Sequence, residues 1–179
     1  MEAFQPYVKH LQNTVSAATF KITDDVVQLI QVALDGEPSV KLRSSVALHE
    51  LRKSGAFFTP PYLRDVIMRK IGDSLIGVTS RLQQGSDFGS TLELWGRQLI
   101  GYDIHSEFVI ATKLRLALAA IAQGHQPKPI STAELDLLFP RIMVKDGLLA
   151  ADSIKHASHI IINPPFTRVL SPSWCTWSS

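Results

Sequence analysis

Gln98-Leu-Ile-Gly-Tyr-Asp103 is a short apolar run closed by a carboxylate, and a long helical stretch, Glu107 to Ala122, comes after it. The run reads as a buried strand, and Gly124 with the Pro127/Pro129 loop closes the helix. Ile142-Met-Val144, leading to Asp146, reads as a second strand, and His159-Ile-Ile-Ile-Asn163, ending at Pro164, as a third. Strand, helix, strand, strand predicts an α/β fold around a parallel sheet. Such sheets take their ligands at the carboxyl ends of the strands. Within the helix, Leu114, Leu118 and Ile121 form an apolar stripe that belongs in a core.

Upstream, residues 1–53 read as a helical segment. Val26, Val27, Ile30 and Leu34 recur at helical spacing after the start signal Thr23-Asp24, and Gly36 with Pro38 stops them. A further helix is expected from Ser39 to Lys53. Phe57 to Pro61 must be extended, because each proline pushes its predecessor out of the helical region. Helix resumes at Pro61 or Tyr62 and runs to about Lys70. Asp73 to Leu82 reads as a helix, and the segment through Gly85 and Gly89 as a loop.

Composition narrows the classes. The chain has 179 residues, 45% of them apolar and 19% charged, which suits a folded domain of ordinary size and excludes a disordered tail. A net charge of +2, with Lys and Arg scattered, neither demands nor forbids a nucleic-acid partner. The single cysteine, Cys175, excludes an intrachain disulfide and a zinc ribbon. No apolar run approaches the roughly 20 residues that span a bilayer, and no signal-peptide layout opens the chain. These features read as a soluble cytoplasmic protein without a membrane partner. His156 and His159 are spaced to share a helical face, but no carboxylate or thiol stands at metal-ligand spacing nearby, so no metal is expected. No Gly-x-Ser-x-Gly elbow is present.

Four segments carry the chemistry. Asn163-Pro164-Pro165-Phe166 comes directly after an apolar run, although Asn-Pro-Pro also suits a plain turn. Ser54-Gly-Ala-Phe57-Phe58-Thr59-Pro60-Pro61 would equally serve as an aromatic loop under a helix. Asp103-Ile104 ends the first strand, as an acid does in many α/β proteins. Asp146-Gly147 is also an ordinary turn pair.

Taken in order over residues 54–166, these segments resemble the motifs of the adenine-N6-specific DNA methyltransferases of the Asn-Pro-Pro-Phe type. The resemblance implies a partial Rossmann-like, S-adenosylmethionine-dependent methyltransferase sheet over residues 54–179, preceded by the helical segment 1–53. It implies S-adenosylmethionine as methyl donor, held by Phe57, Phe58, Thr59, Pro60, Asp103, Ile104 and Asp146. Asp103 would accept the ribose hydroxyls, Ile104 would lie against the adenine ring, and Asp146 would receive its amino group.

It further implies catalysis by Asn163, Pro164, Pro165 and Phe166. Adenine N6 is a poor nucleophile because its lone pair is delocalised into the ring. The Asn163 side-chain oxygen and a proline carbonyl would accept its two N–H bonds and free that pair. Phe166 would stack on a base taken out of the duplex. Two prolines stiffen the loop, so catalysis rests on orientation and electrostatics without a metal.

The sequence departs from the family pattern in two places. The first strand and its Gly-x-Gly loop should lie between Thr59-Pro60 and the Asp103 strand. Instead Lys70-Ile71 runs directly into Gly72-Asp73-Ser-Leu-Ile76, which resembles the family's segment just beyond that loop. An internal deletion on the order of 10–20 residues is expected, by usual element lengths. The chain also ends soon after Phe166, so the remaining strands and a target-recognition domain are expected to be absent. The implied function is a restriction-modification or phage-defence methyltransferase acting on DNA, inactive alone. A complementary methyltransferase fragment or a restriction subunit would be its partner. The competing readings are a non-catalytic DNA- or partner-binding module, half of a split methyltransferase, and a relic.

Overall fold

A computed structural model describes residues 4–35, 75–147 and 155–160. Its centre is a single helix. α5 (Ser106–Ala122) buries Val109, Ala111, Leu114, Leu116, Ala117, Leu118, Ala119, Ala120 and Ile121, so it is apolar on almost every side. A helix of that kind must be surrounded, and the other described elements pack around it. The expected stripe of Leu114, Leu118 and Ile121 lies in the core.

Two helices of the N-terminal segment cover one side. α1 (Gln5–Phe20), with Pro6 in its first turn, buries Tyr7, Val8, Leu11, Val15 and Ala18 at three- and four-residue spacing. Phe4, just before it, meets Phe108 of α5 edge to face, with centroids 4.7 Å apart. α2 (Asp24–Asp35) buries Val26, Ile30 and Ala33, while Val27, expected on the same face, is half exposed. The reason is spacing: Val26, Ile30 and Ala33 already define the stripe, and Val27 lies about a hundred degrees round from Val26. Arg115 of α5 donates to the carbonyls of Ala33 and Leu34 at 2.9 and 3.0 Å. Its charge complements the carbonyl end of α2.

On the other side, α3 (Leu75–Val78) runs into a short 3₁₀ turn (Thr79–Arg81), and α4 (Phe88–Gln98) comes next. The sequence predicts a loop through Gly89 and a strand from Gln98; both expectations are corrected here. Asp87 accepts from Ser90 N–H while the Ser90 hydroxyl answers the Asp87 N–H, a capping box that starts the helix despite Gly89. Burial of Phe88, Leu92 and Trp95 then outweighs the weak local propensity of Gly, Ser and Thr. Gln98 closes α4, so the strand begins only at Gly101.

β1 (Gly101–Asp103) and β2 (Ile142–Val144) form a two-stranded parallel sheet, Gly101 opposite Ile142 and Asp103 opposite Val144. α5 begins three residues after β1. A second capping box, Ser131 with Glu134, opens α6 (Thr132–Leu138) in a stretch expected to be loop. α5 itself starts at Ser106, one residue before the expected Glu107. The fold is therefore mixed α/β, with a parallel strand–helix–strand crossover as expected. The third expected strand finds no support in its described part: His159 and Ile160 are exposed and belong to no strand. Lys155 and His156 form a turn, so no helical face joins His156 to His159.

Candidate functional site

The carboxyl edge of the sheet is where the crossover collects its polar groups. β1 ends on Asp103 and β2 on Val144, opposite each other in the same direction. The Lys145 N–H donates to the Asp103 carbonyl at 2.9 Å, which extends the ladder one step and brings Lys145-Asp146 beside Asp103. Asp103, Ile104 and Asp146 thus share one edge, and both segments that supply them come after strands of a single parallel pair.

Asp103 is half-buried. Its Oδ1 accepts the backbone N–H of His105 at 2.8 Å, a local turn that bends the chain from strand into α5. Burial raises the carboxyl above its ordinary value, and the His105 N–H and the neighbouring His105 ring oppose that rise. An ionised carboxylate has about four acceptor positions, so the bond from His105 leaves capacity for further donors. Ile104 points outward, 61% exposed, between Asp103 and the His105 cap of α5. Asp146 is exposed.

Three residues at this edge were not among the sequence candidates. His105 shapes Asp103 and lies edge-on to Phe108, ring centroids 5.5 Å apart. The signal for it was an acid two residues before an N–H at a helix start, the pattern of an Asx turn. Tyr102 and Lys145 form the other addition, the Lys145 Nζ lying 5.3 Å from the centroid of the Tyr102 ring. Their pairing depends on strand register, which no local pattern in either segment specifies.

Phe57, Phe58, Thr59, Pro60, Asn163, Pro164, Pro165 and Phe166 lie outside the described residues, as does the place expected for the glycine loop. Two concavities on the described surface lie away from the Asp103 edge. One is lined by Gly96, Arg97, Leu138 and Arg141 at the opposite end of the strands, the other by Gln12, Ser16, Pro129 and Ser131. Both are shallow, and neither includes Asp103 or Asp146. Among the described residues no group of three His, Cys, Asp or Glu side chains is placed to hold a metal ion, and no helix is long and apolar enough to cross a membrane. Comparison with protein-family models, with curated proteins and with solved structures gives no match for this chain.

Proposed function

We propose that this chain is the cofactor-side part of an adenine-N6 DNA methyltransferase, with a partial Rossmann-like sheet, S-adenosylmethionine as methyl donor and DNA as substrate. The observation that supports it best is the carboxyl edge: Asp103 and the Lys145-Asp146 segment adjoin across a parallel strand–helix–strand unit. The donor fits the side chains found there. Asp103 retains acceptor capacity for two ribose hydroxyls, Ile104 offers an exposed apolar surface to an adenine ring, and exposed Asp146 can take an amino proton. S-adenosylmethionine supplies an activated methyl group. Asn163 would accept from adenine N6, Pro164 and Pro165 would limit the freedom of its loop, and Phe166 would stack on the base. Phe57, Phe58, Thr59 and Pro60 would cover the methionine end.

The test is methyl transfer from labelled S-adenosylmethionine to adenine in DNA, by the chain alone and with a second chain that carries a strand and Gly-x-Gly loop of the family's kind. The completed mixture is expected to be active and the chain alone silent. Asn163→Ala should lower the rate of the mixture about 10²–10³-fold, the usual loss for one preorganised hydrogen-bonding group. Retention of most activity by that variant would remove Asn163 from its role. Calorimetric titration of the chain alone should give weak or undetectable S-adenosylmethionine binding, because the loop beneath its methionine end is missing. A dissociation constant in the low micromolar range would overturn the deletion. DNA should bind weakly, without sequence preference, and be released as salt rises.

A non-catalytic, partner-completed module is the second reading. It is favoured by β2, which exposes Met143 and Val144 beside a sheet of two strands among the described residues. Met143→Asp with Val144→Asp should then abolish association with the second chain, and Asn163→Ala should change nothing.

A further inference from the structure

At the end of α5 remote from Asp103, residues Thr79 to Gly85 are fastened by a series of side-chain hydrogen bonds that has only one possible direction. The Thr79 hydroxyl lies 2.6 Å from the Ile76 carbonyl oxygen, and a carbonyl only accepts, so the hydroxyl proton is committed there. Thr79 Oγ1 must then act as acceptor toward Gln123, which makes the Gln123 atom 3.2 Å away its amide nitrogen. The Gln123 oxygen therefore faces Gln84 and accepts from the Gln84 amide nitrogen at 2.7 Å. That orientation turns the Gln84 oxygen toward His125 Nε2, 3.1 Å away. An amide oxygen cannot donate, so Nε2 has to. Reversing either amide would set oxygen against oxygen at Thr79 or leave the two glutamines facing each other with like atoms.

We propose that Thr79–Gly85 is a strap, locked onto the C-terminal end of α5 by a one-way hydrogen-bond relay that requires His125 to carry its proton on Nε2.

Burial fixes Thr79 and Thr91, whereas Gln84, in the middle of the relay, is exposed. Thr79 and Thr91 are almost wholly buried, and a buried hydroxyl without partners is costly. Thr91 Oγ1, on α4, lies 3.1 Å from the same His125 nitrogen and accepts the Gly85 N–H at 2.9 Å. His125 thus joins the strap, the start of α4 and the end of α5, with its Nε2–H shared between the Gln84 oxygen and Thr91 Oγ1; the Thr91 hydroxyl proton is then left without an acceptor among the described residues, a cost the relay carries. Gly85 is required by the closeness of the fit, since a Cβ there would come within 2.3 Å of the Ser90 hydroxyl and 2.7 Å of its backbone.

The decisive measurement is the ¹⁵N spectrum of the His125 ring in the intact chain, followed to its high-pH plateau. The Nε2–H tautomer is expected, and the Nδ1–H tautomer would overturn the relay. Hydrogen exchange at the Gly85 amide gives an independent reading. His125→Gln places an amide N–H where Nε2–H stood and should keep Gly85 protected, whereas His125→Asn is too short and should speed its exchange about tenfold, the worth of one net hydrogen bond. Equal Gly85 protection in wild type and His125→Asn would show that His125 does not hold the strap.

Discussion

The two ends of α5 are built on different terms. Its C-terminal end is capped by hydrogen bonds: Gly124, at φ +96°, lets its own N–H reach the Ile121 carbonyl and the His125 N–H reach that of Ala120. This pair of bonds is a Schellman cap, and the strap is bonded to the flanking Gln123 and His125 side chains. On the same side of the sheet, α4 approaches α6 so closely that Gly96 touches the Leu138 carbonyl, and Arg141 donates to the Arg97 carbonyl at 3.0 Å. At the N-terminal end of α5 Phe4 packs on Phe108 and Glu107 is buried, but the side toward Asp103 is more exposed. There Asp103 makes one local bond, Ile104 stands in solvent, and the adjoining Asp146 is exposed. The difference is one of exposure: side-chain bonds tie several segments together at the amino ends of the strands, whereas the edge at their carboxyl ends carries the exposed Ile104 and Asp146.

The strongest way to break this division is at Gly96. A Cβ there would fall 1.8 Å from the Leu138 carbonyl oxygen, a backbone atom that cannot swing aside. Gly96→Ala should cost on the order of 3 kcal/mol, the upper part of the overpacking range, as a lowered denaturant midpoint. A variant as stable as wild type would mean that α4 and α6 are not in that contact.

Gly124 tests the cap with a smaller effect. Nothing lies within 4 Å of its hypothetical Cβ, so only backbone strain opposes a side chain. Gly124→Ala should lose about 1–2 kcal/mol through the positive φ alone. Loss well beyond that, or none, would show that the α5 terminus adopts another conformation in solution.

Substitution at the Asp103 edge should read out differently. The folded Asp103 carboxyl binds its proton more tightly than the unfolded one, because its pKa is raised by burial. As pH rises from the ordinary Asp range through the folded value, the native state holds more protons than the unfolded state, and stability falls. Asp103→Asn removes this slope while keeping a side-chain oxygen for the His105 N–H. Above the window the variant should gain relative to wild type; below it the difference should vanish. Denaturant midpoints across acidic to neutral pH would check this, and a wild type that gains on the variant as pH rises would reverse the sign. Ile104→Ser should alter stability by less than about 0.5 kcal/mol, as exposed sites do. A larger loss would mean that Ile104 is packed and unavailable to a ligand.

Features that rest on local pattern were legible in the amino-acid order alone. The apolar run of α5, its end at Gly124, the Ile142–Val144 strand and Asp103 as a strand terminus all come from spacing and punctuation within a few residues. The capping boxes at Asp87 and Ser131 were equally local, and Ser131-Thr-Ala-Glu134 carried the full signature of a helix start. The prolines before it and the glycines around Asp87 drew those stretches toward loop. Tertiary structure decided the rest. Val27 faces out because a neighbouring stripe on α2 already fills the contact with α5. Gly89 is helical because burial of Trp95 and Leu92 outweighs its poor propensity. Lys145 meets Tyr102, and His125 meets Gln84, only through register and packing between segments some forty residues apart. Such contacts are set by the geometry of the whole core, and no short window of sequence contains both partners.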